Sequence, residues 1–292
     1  MTAKIPGFDY RRVTVAVGVA LNAAVGGSGS PVVLLHGFPQ THLMWRHVAA
    51  DLAADHTVIC PDLRGYGDSD KPVDHDGRTY AKRAMAADVV ELARALGHER
   101  FALAGHDRGA LVAIRAGLDH PDAVTRLALL DVLPTLDTWD VLRGTSAAVA
   151  FHLYLMAQPV GLPEQLIAGA PDAFFGYFLD MWTNDPAAIP DDVRAAYLRA
   201  SREAIPSIVA DYRASATIDV EHDTADRQSG NRLRMPVAVL QQDWGSALGF
   251  DAAARWRAWA PDLRHTTVSC GHFMAEESPA QVTEALRDLF AE

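Results

Sequence analysis

Gly105-His106-Asp107-Arg108-Gly109 is the stretch that decides the fold. It follows the short apolar run Phe101-Ala-Leu-Ala104 and precedes a helix-forming segment, so strand, sharp turn and helix meet at Asp107. Glycines on both sides of the central residue relieve a crowded turn that side chains could not enter. A side chain seated on such an elbow stands clear of the sheet and can act as a nucleophile.

The same rhythm continues outward from the elbow. Residues 13–17, 31–36, 57–60 and 127–130 read as strands, and 45–54 and 80–96 as amphipathic helices. Alternation of this kind predicts an α/β fold with a mostly parallel, doubly wound sheet. From about Thr135 to Arg227 no strand is convincing. Helical stretches there are separated by Pro159, Pro163, Pro171, Pro186, Pro190 and Pro206. The rhythm returns after Gly230, with a strand at 237–240, a helix at 250–259, a strand near Thr267 and a closing helix at 280–290. The expected organisation is a core over 1–134, an inserted helical cap over 135–229 and the rest of the core over 230–292. A cap leaving from Asp131, at the carboxyl end of a strand, would roof the place where open α/β sheets bind ligands.

Composition narrows the function. With 292 residues, 49% of them hydrophobic, the chain can bury a full core. Its net charge of −11 and lack of any Lys/Arg run argue against a nucleic-acid partner, which needs a basic footprint. The first dozen residues hold no apolar signal segment, and no uncharged run reaches the roughly 18–20 residues of a membrane span. A soluble cytoplasmic protein is expected. Cys60 and Cys270 are too far apart to read as a metal knuckle, HExxH is absent, and the Gly-rich turn 62–68 lacks the GK[ST] of a phosphate loop. The expectation is a small-molecule substrate, no metal and no cofactor.

An aspartate at the elbow has its own chemistry. With a pKa of about 4 it is ionised at neutral pH and attacks without a base. It suits displacement at a saturated carbon, with a halide or a strained epoxide oxygen leaving, and it ends as an aspartyl ester. His36-Gly37-Phe38-Pro39, after the 31–36 strand, supplies an amide facing the elbow, so Phe38 and Arg108 are the expected oxyanion donors. Gly271-His272-Phe273 supplies a histidine to activate water against the ester. Asp131 and Asp243 both lie at strand ends between nucleophile and histidine, and Asp131 is preferred as the acid that orients His272. His36 and His106 read as structural, Gln40 and Trp45 as core, and the aromatic stripe Phe174, Phe175, Tyr177, Phe178 as cap core. Cys270, two residues from His272, is too close in sequence to face it as a nucleophile.

These residues resemble the Asp-nucleophile α/β-hydrolases, most closely the haloacetate (fluoroacetate) dehalogenases. The likeness runs through HGFPQTHLMWR at 36–46, PDLRGYGDSDKP at 61–72, GHDRGA at 105–110, LDVLPT at 130–135, AQPVGLPE at 157–164, DYRASA at 211–216 and GHF at 271–273. It implies an α/β-hydrolase fold with a helical cap. It also implies that Asp107 is the nucleophile, His272 the base, Asp131 its acid and Arg108 the binder of a substrate carboxylate. His152 and Tyr212 would cradle the departing halide. Two positions depart from the pattern: Leu111 stands where a second carboxylate-binding arginine is expected, and Leu153 where a halide-binding tryptophan follows the histidine. Arg115 lies too far along the same helix to substitute. The residues leave the oligomeric state open, while the resemblance, whose members are often dimers, implies a homodimer. An epoxide hydrolase is the alternative, using the same Asp/His pair with Tyr212 and either Tyr154 or Tyr177 as proton donors. A non-catalytic ligand-binding member is a third reading, against which the intact set Asp107, His272, Phe38 and Arg108 argues.

Overall fold

A computed structural model describes residues 4–291. Among them eight strands form one sheet: β1 (Asp9–Ala16), β2 (Val19–Gly27), β3 (Ser30–Leu35), β4 (His56–Pro61), β5 (Phe101–His106), β6 (Val124–Leu130), β7 (Val237–Gln241) and β8 (Leu263–Thr267). The order is β1-β2-β4-β3-β5-β6-β7-β8. The β1–β2 and β2–β4 pairs are antiparallel and every other pair is parallel. β3, β5 and β7 are continuous apolar runs rather than alternating ones because helices cover both faces of the sheet. Helices Lys82–Ala95 and Arg108–Asp119 bury Met85, Val89, Val112 and Ala116 on one face. Helices Arg46–Leu52 and Pro279–Phe290 bury Val48, Leu52, Val282 and Leu286 on the other.

One strand escapes the sequence reading. Residues 13–17 read as a single strand, but the structure has a hairpin turning at Val17 and Gly18, the latter with φ 72°. The returning strand, VALNAAVGG, is rich in Ala, Asn and Gly, which carry little strand signal. Its pairing is fixed by register, Val13 opposite Leu21 and Ala24 opposite Cys60.

Register also builds the site. Leu35 pairs with Gly105, His106 with Leu130, and Leu130 with Leu240, so the carboxyl ends of β3, β5, β6 and β7 stop in one row. Between β6 and β7 the described chain is helical, from Thr135–Val141 to Ile218–Ser229. Buried ion pairs hold this helical segment to the core. Lys82 and Arg108 meet Asp211, while Arg115 meets Asp223 and Asp226. No helix of the described residues is long and apolar enough to cross a membrane.

The elbow depends on close backbone approach. A Cβ on Gly109 would lie 2.4 Å from the His36 carbonyl oxygen and 2.6 Å from that of Leu35. Neither atom can yield without moving β3. Gly109→Ala is therefore expected to destabilise the fold by about 1–3 kcal/mol or more. Gly169→Ala is the control: it ends a helix and a Cβ there meets nothing within 4 Å, so it should be neutral or slightly stabilising. Urea unfolding of the two variants checks this.

Candidate active site

Asp107 has φ 46° and ψ −115°, a conformation that side chains rarely adopt. Its amide donates to the Leu130 carbonyl (3.2 Å), and its own carbonyl accepts from Leu111 in the first turn of helix Arg108–Asp119. The turn is thus over-determined from both ends, which is how strain persists in a folded chain. The Phe38 amide donates to Asp107 Oδ2 (2.9 Å). Arg108 opens the helix, so its amide has no intrahelical acceptor and carries the positive end of the helix dipole.

Asp131, at the end of β6, is the other non-glycine residue at positive φ (48°) among those described. It is 1% exposed and fully engaged. Oδ1 accepts from the Gln242 amide (2.9 Å), and Oδ2 accepts from the Gln242 side chain (2.7 Å) and lies 2.7 Å from His272 Nδ1. Asp243, the rival candidate, is exposed, and its side chain accepts from the Ser246 amide. The structure therefore brings Asp131 to His272 and leaves Asp243 outside.

His272 hangs on a short loop after β8. Its amide donates to the Trp182 carbonyl (2.8 Å), and its ring lies 4.5 Å from that of His106 and 4.8 Å from that of Trp182, centroid to centroid. Nδ1 faces Asp131, and Nε2 is buried without a partner. Burial opposes the imidazolium, but the hydrogen bond and charge of Asp131, with the charge of Asp107, outweigh it and hold the His272 pKa above its ordinary value. For Asp107, burial favours the neutral acid. The charges of His272 and Arg108 with the Phe38 N–H overcome this and keep the carboxylate ionised.

The neighbouring histidines have other duties. His106 Nε2 donates to the His272 carbonyl (2.8 Å), and burial lowers the His106 pKa to about 3. His36 Nε2 accepts from the Leu63 amide (3.0 Å), which leaves Nδ1–H to donate to the Gly37 carbonyl. Gln40 donates to Glu276, and Trp45 lies in the core. Burial pushes the Cys270 thiol up to about 12, so it offers no thiolate at neutral pH.

Above Asp107 the helical segment between β6 and β7 supplies an aromatic box. The Phe38 ring is surrounded by His152, Phe175, Phe178, Trp182 and Tyr212 at centroid distances of 5.2–6.4 Å. Tyr212 Oη and His152 Nδ1 are buried there without a hydrogen-bond partner. Burial lowers His152 to about 3 and raises Tyr212 well above 10, so both stay neutral and Tyr212 keeps its proton. The other tyrosines proposed for the box do not reach it: Tyr154 donates to the Leu142 carbonyl (2.6 Å), and Tyr177 is 46% exposed.

The Arg108 side chain is largely engaged within the protein. Its Nε and Nη2 make a side-on pair with Asp211 (both 2.9 Å), and Nη2 also reaches Ser215 (2.7 Å). Only Nη1 is left without a described partner, so Arg108 does not present a free fork. Lys82 and the Tyr66 hydroxyl complete the cage around Asp211. Leu111 is buried beside Lys82, Thr135 and Asp219, and Leu153 is half-buried. Arg115 is committed to Asp119, Asp223 and Asp226. Sequence reasoning missed Asp211, Gln242 and Trp182 as parts of the site. Asp211 stands beside Tyr212 in the DYRASA stretch, the only local signal any of them carries.

An ionised carboxylate facing an amide donor, with a His–Asp pair at the ends of a parallel sheet, defines a hydrolase. Residues 30–154 match the family described as alpha/beta hydrolase fold. Over nearly its whole length the chain is 39% identical to a fluoroacetate dehalogenase from Burkholderia sp, covering 98% of this chain and 95% of that protein. It is 32% identical to a soluble epoxide hydrolase from Corynebacterium sp. (strain C12), covering 94% of each. The solved structure of ALR0039 from Nostoc sp PCC 7120 superposes with a TM-score of 0.94 at 38% identity, covering 99% of this chain and 100% of that one. The chain belongs to the α/β-hydrolase family.

The opposing pulls on the histidines give a measurable titration. His272 should titrate above 6.5, whereas His106 and His152 stay neutral from pH 5 to 8. In Asp131→Asn the hydrogen bond to a charge is lost and burial dominates, so the His272 midpoint should fall below that of the wild type. Imidazole NMR titration of both proteins reads this directly.

Proposed function

We propose that this protein hydrolyses the carbon–halogen bond of a 2-haloacid through an ester on Asp107. Oδ2 of Asp107 is held by the Phe38 amide, which leaves Oδ1 to attack. Oδ1 bonds to C2 of the substrate and the carbon–halogen electron pair leaves with the halide. Tyr212 Oη and a ring N–H of His152 donate to the departing halide, and Arg108 Nη1 meets the carboxylate. Donors aimed at charge that appears only in the transition state lower the barrier directly. His272 Nε2 then takes a proton from water, which adds to Cγ of the ester. The oxyanion forms on Oδ2, facing the Phe38 and Arg108 amides. The imidazolium gives its proton to Oδ1 as the Cγ–Oδ1 bond breaks, the 2-hydroxyacid leaves carrying Oδ1, and Asp107 is regenerated with an oxygen from water, releasing one proton to solvent. Asp131 holds the imidazole tautomer and stabilises its cation.

The observation that carries this reading is the pair of unpartnered groups, Tyr212 Oη and His152 Nδ1, buried beside an ionised aspartate. It is supported by the likeness to the Burkholderia fluoroacetate dehalogenase. Losing the second arginine at Leu111 removes a charge-assisted hydrogen bond worth about 1.5–3 kcal/mol. The expected substrates therefore include haloacids with an apolar group at C2, besides haloacetates.

Epoxide ring opening is the second reading, favoured by Tyr212 keeping its proton and by the likeness to the Corynebacterium enzyme. With Tyr154 and Tyr177 turned away, its second donor would be His152. Replacing His272 by Asn separates the two readings. Ester formation should proceed while hydrolysis stalls, so mass spectrometry finds the adduct on Asp107 after incubation with chloroacetate, 2-chloropropionate or styrene oxide. Haloacid adducts, with free halide released by the wild type, are expected. An adduct from styrene oxide alone would replace the first reading by the second.

A further inference from the structure

Glu277 lies outside the machinery described so far. Its Oε2 accepts from three backbone amides: Asn184 (2.8 Å), Asp185 (3.1 Å) and Gly271 (3.2 Å). Two of these belong to the turn that follows cap helix Pro171–Met181. The third is the residue before His272. The same two segments are joined by the bond from the His272 amide to the Trp182 carbonyl (2.8 Å). Packing at this junction is tight enough to demand glycine: a Cβ on Gly271 would stand 2.2 Å from Glu277 Oε1 and 2.5 Å from the Trp182 carbonyl oxygen. The Trp182 ring, set by this backbone, lies against both His272 (4.8 Å) and His152 (5.1 Å).

We propose that Glu277 is a positioning residue for His272, stapling the cap turn at 184–185 to the histidine loop. Cap closure and histidine placement then become one event, because a single carboxylate must satisfy amides from both sides. This rests on the reading of Asp107 as nucleophile and His272 as base. Glu277 also acts through charge. The groups that bear on His272 are Asp131 from the end of β6, Asp107 and His106 from the elbow, His152 from the cap and Glu277 from the short helix Met274–Glu277 that follows His272. Asp107 loses its charge on esterification, so in the ester intermediate only Asp131 and Glu277 still favour the imidazolium.

Two variants separate placement from charge. Glu277→Gln keeps an oxygen acceptor and removes the charge, while Glu277→Ala removes both. The test follows ester formation and ester loss on Asp107 by single-turnover mass spectrometry between pH 5 and 9, using whichever of chloroacetate and styrene oxide alkylates the wild type. In E277A, ester loss should slow by about ten- to a hundredfold and the ester should accumulate, as expected for a displaced base. In E277Q, ester formation should stay within about twofold of wild type, while the acid limb of ester loss moves to lower pH. That shift is one a purely structural carboxylate would not cause, and it decides the matter if E277A fails to fold. Ester loss at the wild-type rate across the whole pH range in both variants overturns the proposal. Absence of any ester in the wild type overturns the reading of Asp107 itself, and this proposal with it.

Discussion

The turn at Asp107 is the constraint on which the rest depends. A side chain at φ 46° is tolerated only because flanking glycines let β3, β5 and helix Arg108–Asp119 pack with almost no gap. That packing does three things at once. It lifts the carboxylate off the sheet, brings the Phe38 amide to 2.9 Å from Oδ2, and aims the first amides of a helix at the same place. Local sterics thereby set the electrostatics, and the electrostatics keep a buried aspartate ionised.

Buried charge is balanced on both sides of this turn. On one side, Asp131 compensates the His272 imidazolium and is itself satisfied by Gln242. On the other, Arg108 and Lys82 meet Asp211, which they hold well below the usual carboxylate range despite its burial. Removing one partner from such a cluster leaves an uncompensated charge, typically at a cost of about 3–5 kcal/mol. The arrangement also restrains the chemistry. A guanidinium already paired with Asp211 offers a substrate less net charge than a free one.

Much of this was legible in the chain. The inner strands announce themselves as apolar runs, because parallel strands are covered on both faces. The elbow announces itself because its glycine spacing is dictated by sterics a few residues wide. The hairpin strand Val19–Gly27 does not, since pairing rather than composition makes it a strand. Chain order could not choose between Asp131 and Asp243. The choice lies in the β6–β7 register, which sets the Gln242 amide against Asp131 and leaves Asp243 in solvent. The grip of Asp211 on Arg108 and the reach of Glu277 to the amides of Asn184 and Asp185 join residues about a hundred positions apart and leave no periodic trace. The resemblance pointed to His152 and Tyr212, which the fold brings together, while only the fold revealed that Tyr154 is bonded to the Leu142 carbonyl and Tyr177 is half exposed.

Oxygen transfer from the enzyme is the most direct test of the central claim, covalent capture of a substrate carbon by Asp107. In a single turnover with enzyme in excess in ¹⁸O-water, the first product molecule should carry Oδ1 and no label. The peptide containing Asp107 should gain one heavy oxygen. Label found in the product hydroxyl, with Asp107 unlabelled, would contradict the account.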